Sequence, residues 1–140
     1  MDYKAIVRDD LKRLNDMRHS VRSLRNRAQL ERSRAASLSS CGADIRVQGG
    51  RPGDAILSAV ATADISERQA DYIAAQIDEL NNALLALPQD QREVITCMLV
   101  EGLSADDACE RVHLERRSVY YKLDEGLTAI ARLMWGVVQS

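Results

Sequence analysis

Phenylalanine is absent from this 140-residue chain, tryptophan occurs once, and aromatic residues reach only 4%. An all-β core draws on Val, Ile, Tyr and Phe in alternation, so this shortage, beside abundant Ala, Leu, Arg and Ser, points to helix. No apolar run approaches the roughly 20 residues that cross a bilayer, and Met1-Asp2-Tyr3-Lys4 lacks the pattern of a signal peptide. The three cysteines, Cys41, Cys97 and Cys109, are odd in number and without framework spacing, which implies reduced thiols and a cytoplasmic setting with no membrane partner. Catalytic signatures are missing as well. Neither His19 nor His113 has a nucleophile at a motif spacing, and no carboxylate pair stands out, so no enzyme is expected. Cys109 and His113 lack the further ligands that structural zinc requires, so no metal is expected. Gly49-Gly50 is not followed by Gly-Lys-Ser/Thr, which excludes a phosphate loop, and nothing else points to a cofactor.

What is present is an ordinary share of apolar residues, 46%, with 29% charged, enough to rule out wholesale disorder. Net charge is -2, unevenly spread. Residues 1–39 hold ten Lys/Arg against five Asp/Glu, residues 40–87 three against seven, and residues 88–140 six against nine. A basic first third could serve as a nucleic-acid arm. The simpler reading is two helices of opposite charge lying together, and the hydrophobic pattern asks for that pairing independently.

Residues 3 to 39 contain neither Gly nor Pro. Val7, Leu14, Val21, Ala28 and Ala35 form one heptad row and Tyr3, Met17, Leu24 and Leu38 a second, with Asp10 and Glu31 as gaps. A stripe this narrow marks a helix, about 50 Å long here, that buries one seam against a partner helix. The breaker-rich stretch 40–53 is a loop. From 54 to 87 a second stripe runs through Ile56, Ala59, Ala63, Ala70, Ile73, Ile77, Leu80, Leu84 and Leu87. Ser66-Glu67-Arg68-Gln69 has the form of a capping box, yet the heptad phase continues through it, which favours one helix. Ala59, Ala63 and Ala70 would face Ala28 and Ala35 in an antiparallel hairpin spanning residues 1–87. The same stripes would also serve self-association.

Pro88 closes the second helix at Leu87 and suits the start of a third, which carries Val94, Ile95, Met98 and Leu99 and stops at Gly102. Ser104 caps a short fourth helix with Asp107 three residues on, Val112-His113-Leu114 is a tight turn, and a fifth helix buries Val119, Leu123, Leu127, Ile130, Leu133 and Met134 as far as Gly136. This is a helix-turn-helix: Cys109 would be the small residue at the crossing, Val112 and Leu114 flank the turn, and Val119 locks the second helix. The exposed start of that helix carries Arg116, Arg117, Ser118, Tyr120, Tyr121 and Lys122, the residue types that reach base edges and phosphates in a major groove. Adjacent Tyr120 and Tyr121 point about 100° apart, so one is expected to pack and the other to be exposed. Trp135 reads as a core or interface anchor.

Leu87-Pro88, Arg92-Glu93-Val94-Ile95, Glu101-Gly102-Leu103-Ser104, Val112-His113-Leu114 and Ser118-Val119-Tyr120, with Leu123 and Leu127, resemble region 4 of sigma-70-type factors over about residues 84–134. The long helix, Gly-rich loop and second helix in front look like phage-encoded sigma-region-4-like proteins, the group related to the RinA/ArpU late-gene regulators. Composition and periodicity together give an all-α fold, a helical hairpin followed by a three-helix domain over 88–140, and the heptad stripes of the hairpin would serve a homodimer. The resemblance implies promoter DNA recognised by the second helix, with host RNA polymerase as a further partner, and no catalysis. Four departures bear on it. His113 stands where a turn glycine is usual, Glu115 replaces the usual Ser cap, Asp124 and Glu125 occupy positions where a basic residue is common, and Gly126 replaces alanine. Two other classes fit part of the pattern: a small terminase-like DNA-packaging subunit, and an interaction adaptor with a degenerate helix-turn-helix.

Overall fold

The computed structural model describes residues 2–41 and 52–136. Among these the chain is helical and contains no strand. The elements are α1 (Tyr3–Lys12), α2 (Leu14–Cys41), α3 (Pro52–Leu85), α4 (Gln89–Ile95, extended by a π-helical turn Thr96–Val100), α5 (Ala105–Val112) and α6 (Arg116–Trp135). No helix among the described residues is long and apolar enough to cross a membrane. The Gly-rich stretch 42–51 and the side chain of Cys41 lie outside the described residues.

Contacts divide the chain into two compact units, Met17–Ala75 on one side and Met1–Asp16 with Gln76–Ser140 on the other. This partition differs from a cut at Pro88: the first helix and the end of α3 belong with the C-terminal elements. In the first unit the expected seam is realised, with Val21, Ala28, Ala35, Ala59, Ala63 and Ala70 all buried. Ser66 is buried among them, and α3 runs unbroken through it, so the capping-box pattern marks no helix start. The two helices run antiparallel. Arg25 pairs with Asp71 at 3.7 Å, and Arg32 pairs with Asp64 at 3.6 Å and with both carboxylate oxygens of Glu67. The basic α2 and the acidic α3 thus answer each other, although exposed pairs of this kind add little stability individually.

The second unit is built around α6, which packs against α1, α4 and α5. Val7, Leu11, Leu14, Val94, Ile95, Val119, Leu127 and Ile130 are fully enclosed. The single long helix expected over 3–39 is interrupted at Arg13 (φ -91°, ψ 0°), whose N–H is shared between the carbonyls of Asp9 and Asp10 at 3.2 Å. Helix α1 buries Val7 and Leu11, and Leu11 lies off both heptad rows. Helix α3 ends at Leu85 rather than Leu87, and Leu87 N–H turns back to the Leu84 carbonyl at 3.1 Å. Arg92 closes this end, donating to the carbonyls of Leu84, Leu85 and Leu87 at 3.2, 3.4 and 3.0 Å. They are carbonyls at a helix C-terminus, of which Leu84 O also accepts from Leu87 N–H, and a guanidinium suits this end both as donor and as positive charge.

Helix α4 does not run evenly to Gly102. A π turn inserts at its end, with Glu101 N–H donating to Thr96 O at 2.8 Å and Leu103 N–H to Cys97 O at 2.9 Å, before Gly102 (φ +73°) reverses the chain. Asn15 Nδ2 donates to Val100 O at 3.1 Å, satisfying a carbonyl the π turn leaves open. Gly126 faces α4: a Cβ built there would stand 2.3 Å from Ile95 Cδ1, so a methyl at this position requires the Ile95 side chain to shift.

Candidate nucleic-acid interface

Helix α5 starts where the sequence placed it. Ser104 Oγ accepts from Asp107 N–H at 3.2 Å, and Asp106 and Asp107 sit in the positive first turn. Its end is set by His113, which adopts the left-handed conformation (φ 58°, ψ 42°) usually filled by glycine. Left-handed backbone costs a non-glycine residue about 1–2 kcal/mol, and glycine carries an extra unfolded-state entropy of about 0.5–1 kcal/mol. His113→Gly is therefore expected to stabilise the second unit by up to about 1.5 kcal/mol. A urea-unfolding midpoint that falls would contradict this account of the turn.

Three residues after His113 the chain enters α6. Glu115 occupies the cap position, and its side chain makes no capping hydrogen bond. Val119 is fully buried and locks α6, while Val112 and Leu114 are half-buried beside the turn. The small residue at the crossing is Ala108, fully buried, and not Cys109, which is only half-buried. Both are small, and only the rotation of α5 about its axis separates them.

Val119, Leu123, Gly126, Leu127, Ile130 and Ala131 form the buried stripe of α6. Leu133 is exposed and Met134 half-buried, so the inward face expected to include them ends a turn earlier. Arg117 and Tyr121 lie opposite the stripe, and Arg117 makes no ion pair among the described residues. Arg116 is exposed beside them. Its guanidinium carbon stands 5.9 Å from the Tyr120 ring centre, and it pairs loosely with Asp106 at 3.8 Å. Tyr120 and Tyr121 are 46% and 65% exposed, so neither packs inward, because Val119 occupies the inward position next to them. Ser118 is half-buried.

Lys122 is not gathered onto this surface. It lies on the α4 side, its ammonium 2.6 Å from Asp90. That contact, and the backbone N–H of Gln91 donating to Asp90 at 2.8 Å, hold the Asp90 carboxyl below its ordinary range. The pair is complete above the ordinary carboxylate range and is lost as the pH falls through the lowered Asp90 value.

The two carboxylates that looked adverse to DNA both have partners. Lys4 Nζ donates to Asp124 at 3.0 Å, and Gln91 Nε2 donates to Glu125 at 3.0 Å. Lys4 is a contributor that sequence reasoning missed, and no local signal reveals a neighbour 120 residues away. Trp135 is an intramolecular anchor for α1: its ring centre lies 5.0 Å from that of Tyr3, tilted 34°. No cluster of three or more potential metal ligands occurs among the described residues.

Residues 77–130, from the last turns of α3 through most of α6, match the family described as Sigma-70, region 4. The C-terminal part of the chain thus carries a sigma region 4-like helix-turn-helix, a type of domain that binds DNA and RNA polymerase in transcription. No curated protein and no solved structure matches the chain.

Proposed function

We propose that this chain is a transcriptional regulator of phage or prophage origin that reads promoter DNA with the first turns of α6 and works with host RNA polymerase. The observation that carries this reading is the outward presentation of Arg116, Arg117 and Tyr121 at the leading end of a helix braced from behind by α1, α4 and α5. Arginine can bond a guanine edge bidentately, and tyrosine can hold a phosphate. Ser118 stands at the margin of this face, Tyr120 supports Arg116, and Lys122 braces α4. The hairpin architecture ahead of the region 4-like segment supports the phage reading, through its likeness to late-gene regulators of the RinA/ArpU group. The test is duplex binding measured across a salt series: a log–log slope of about -0.9 per phosphate neutralised is expected, and binding indifferent to salt would remove the reading.

A second copy of the chain, meeting through the hairpin, fits the dimeric habit of helix-turn-helix proteins on paired half-sites. On α3, Leu57, Ile65 and Tyr72 are 69%, 56% and 68% exposed and recur at spacings of eight and seven residues, which puts them on one outer face. Sedimentation of the intact chain is expected to show a dimer that Tyr72→Glu weakens. A larger closed ring would favour the DNA-packaging reading, and a monomer would remove the hairpin interface.

A further inference from the structure

We propose that the edge of α1 bearing Lys4, Arg8 and Lys12 contacts the phosphate backbone of the duplex whose groove receives α6, with Asp124 holding Lys4 at the flank of that helix. The inference rests on the DNA-binding reading above and extends its footprint to a helix outside the region 4-like segment.

The need for such a surface arises from α6 itself. Of the cations in its first half, Lys122 is committed to Asp90 and Arg116 is shared with Asp106 and Tyr120, which leaves Arg117 as the one without an ion pair among the described residues. Phosphate contacts supply most of the sequence-independent affinity for DNA, and one or two arginines on a helix that also carries Asp124 and Glu125 supply little of it. The arginines of α2 at 25 and 32 are engaged with Asp71, Asp64 and Glu67.

Helix α1 offers what α6 lacks. Residues 4, 8 and 12 are spaced four apart and therefore share one edge of the helix. Arg8 and Lys12 are exposed, and the Lys4 side chain is 41% exposed. Of the acids of α1, Asp9 lies about 100° round the helix from Arg8 and about 60° from Lys12, at the margin of this edge, and Asp10 is taken by Arg13 at 2.8 Å. This cationic edge is joined to α6 directly. Lys4 meets Asp124 at 3.0 Å, Tyr3 packs on Trp135, and Val7 and Leu11 are buried beneath. The Asp124 carboxylate has two effects here: its own repulsion of phosphate is neutralised, and a flexible lysine is held beside the groove-facing surface. The edge is thus continuous with the α6 surface and opposite in charge to a phosphate backbone.

The experiment uses the intact chain and a mixed-sequence DNA duplex, with binding followed by fluorescence anisotropy at a series of salt concentrations. The double variant R8Q/K12Q is expected to make the log–log slope shallower by about one unit per cation removed, whatever the duplex sequence. The charge-keeping variant R8K/K12R is expected to restore the parent slope. An R8Q/K12Q slope equal to the parent's, alongside clear weakening by Arg117→Ala, would overturn the α1 surface and leave the α6 reading standing. A parent chain without salt-dependent binding would overturn both.

Discussion

Arg117→Ala is expected to weaken promoter-duplex binding by about 1–3 kcal/mol, roughly five- to 150-fold, without moving the unfolding transition. Arg117 lies opposite the buried stripe of α6 and makes no ion pair among the described residues, so its removal leaves no orphan charge in the protein. Arg116→Ala is expected to cost less, since part of that side chain's free energy is already engaged with the Tyr120 ring and Asp106. Both pairings are exposed and individually weak, so the difference should be a fraction of a kcal/mol to about 1 kcal/mol. Lys122→Ala separates two readings of that residue: a brace on Asp90 predicts a small loss of stability and little change in affinity. Binding that ignores both arginines would end the assignment of α6 as a reading helix.

The second large effect concerns stability. Gly126→Ala would normally strengthen a helix by about 1 kcal/mol, and here it is expected to weaken the protein by up to about 2 kcal/mol. The added Cβ would stand 2.3 Å from Ile95 Cδ1 and 3.2 Å from its Cγ1. Ile95 is itself completely buried, so moving its terminal methyl aside requires its packed neighbours to adjust. Overpacking of this kind costs about 1–3 kcal/mol, which offsets or exceeds the gain in helix propensity. Ile95→Val deletes the atom in conflict, so in that background the same glycine replacement should approach neutrality. The expected signature is a coupling of about 0.5–3 kcal/mol in a double-mutant cycle followed by urea unfolding. A stabilised Gly126→Ala single variant would show that α4 and α6 are not held at this separation.

Features that depend on near neighbours could be read directly. Ser104 as a cap, the stops at Gly102 and Gly136, the left-handed backbone of His113, and the buried positions Val119, Leu123, Leu127 and Ile130 along α6 all arise within a few residues of one another. The alanine seam of the hairpin was legible too, because a heptad row is a local record of one apolar face. The same periodicity misled at Arg13. A row passing through Val7 and Leu14 looks continuous, while the off-row burial of Leu11 shows α1 serving a different neighbour.

The one-residue exchange of Ala108 for Cys109 shows a further limit. Two small residues in sequence are equivalent until the rotation of α5 selects one. Likewise, Lys122 belongs to a basic run in sequence and to Asp90 in space.

Hydrophobic period and turn chemistry, both short-range, were enough to specify an all-helical chain, its capped helix-turn-helix and the outward face of α6. Tertiary structure alone decided that α1 lies on α6, that Lys4 neutralises Asp124, and that Gly126 admits Ile95. Each of these joins groups at least 30 residues apart, so it exists only once the intervening helices have packed, and no pattern within a single segment encodes it.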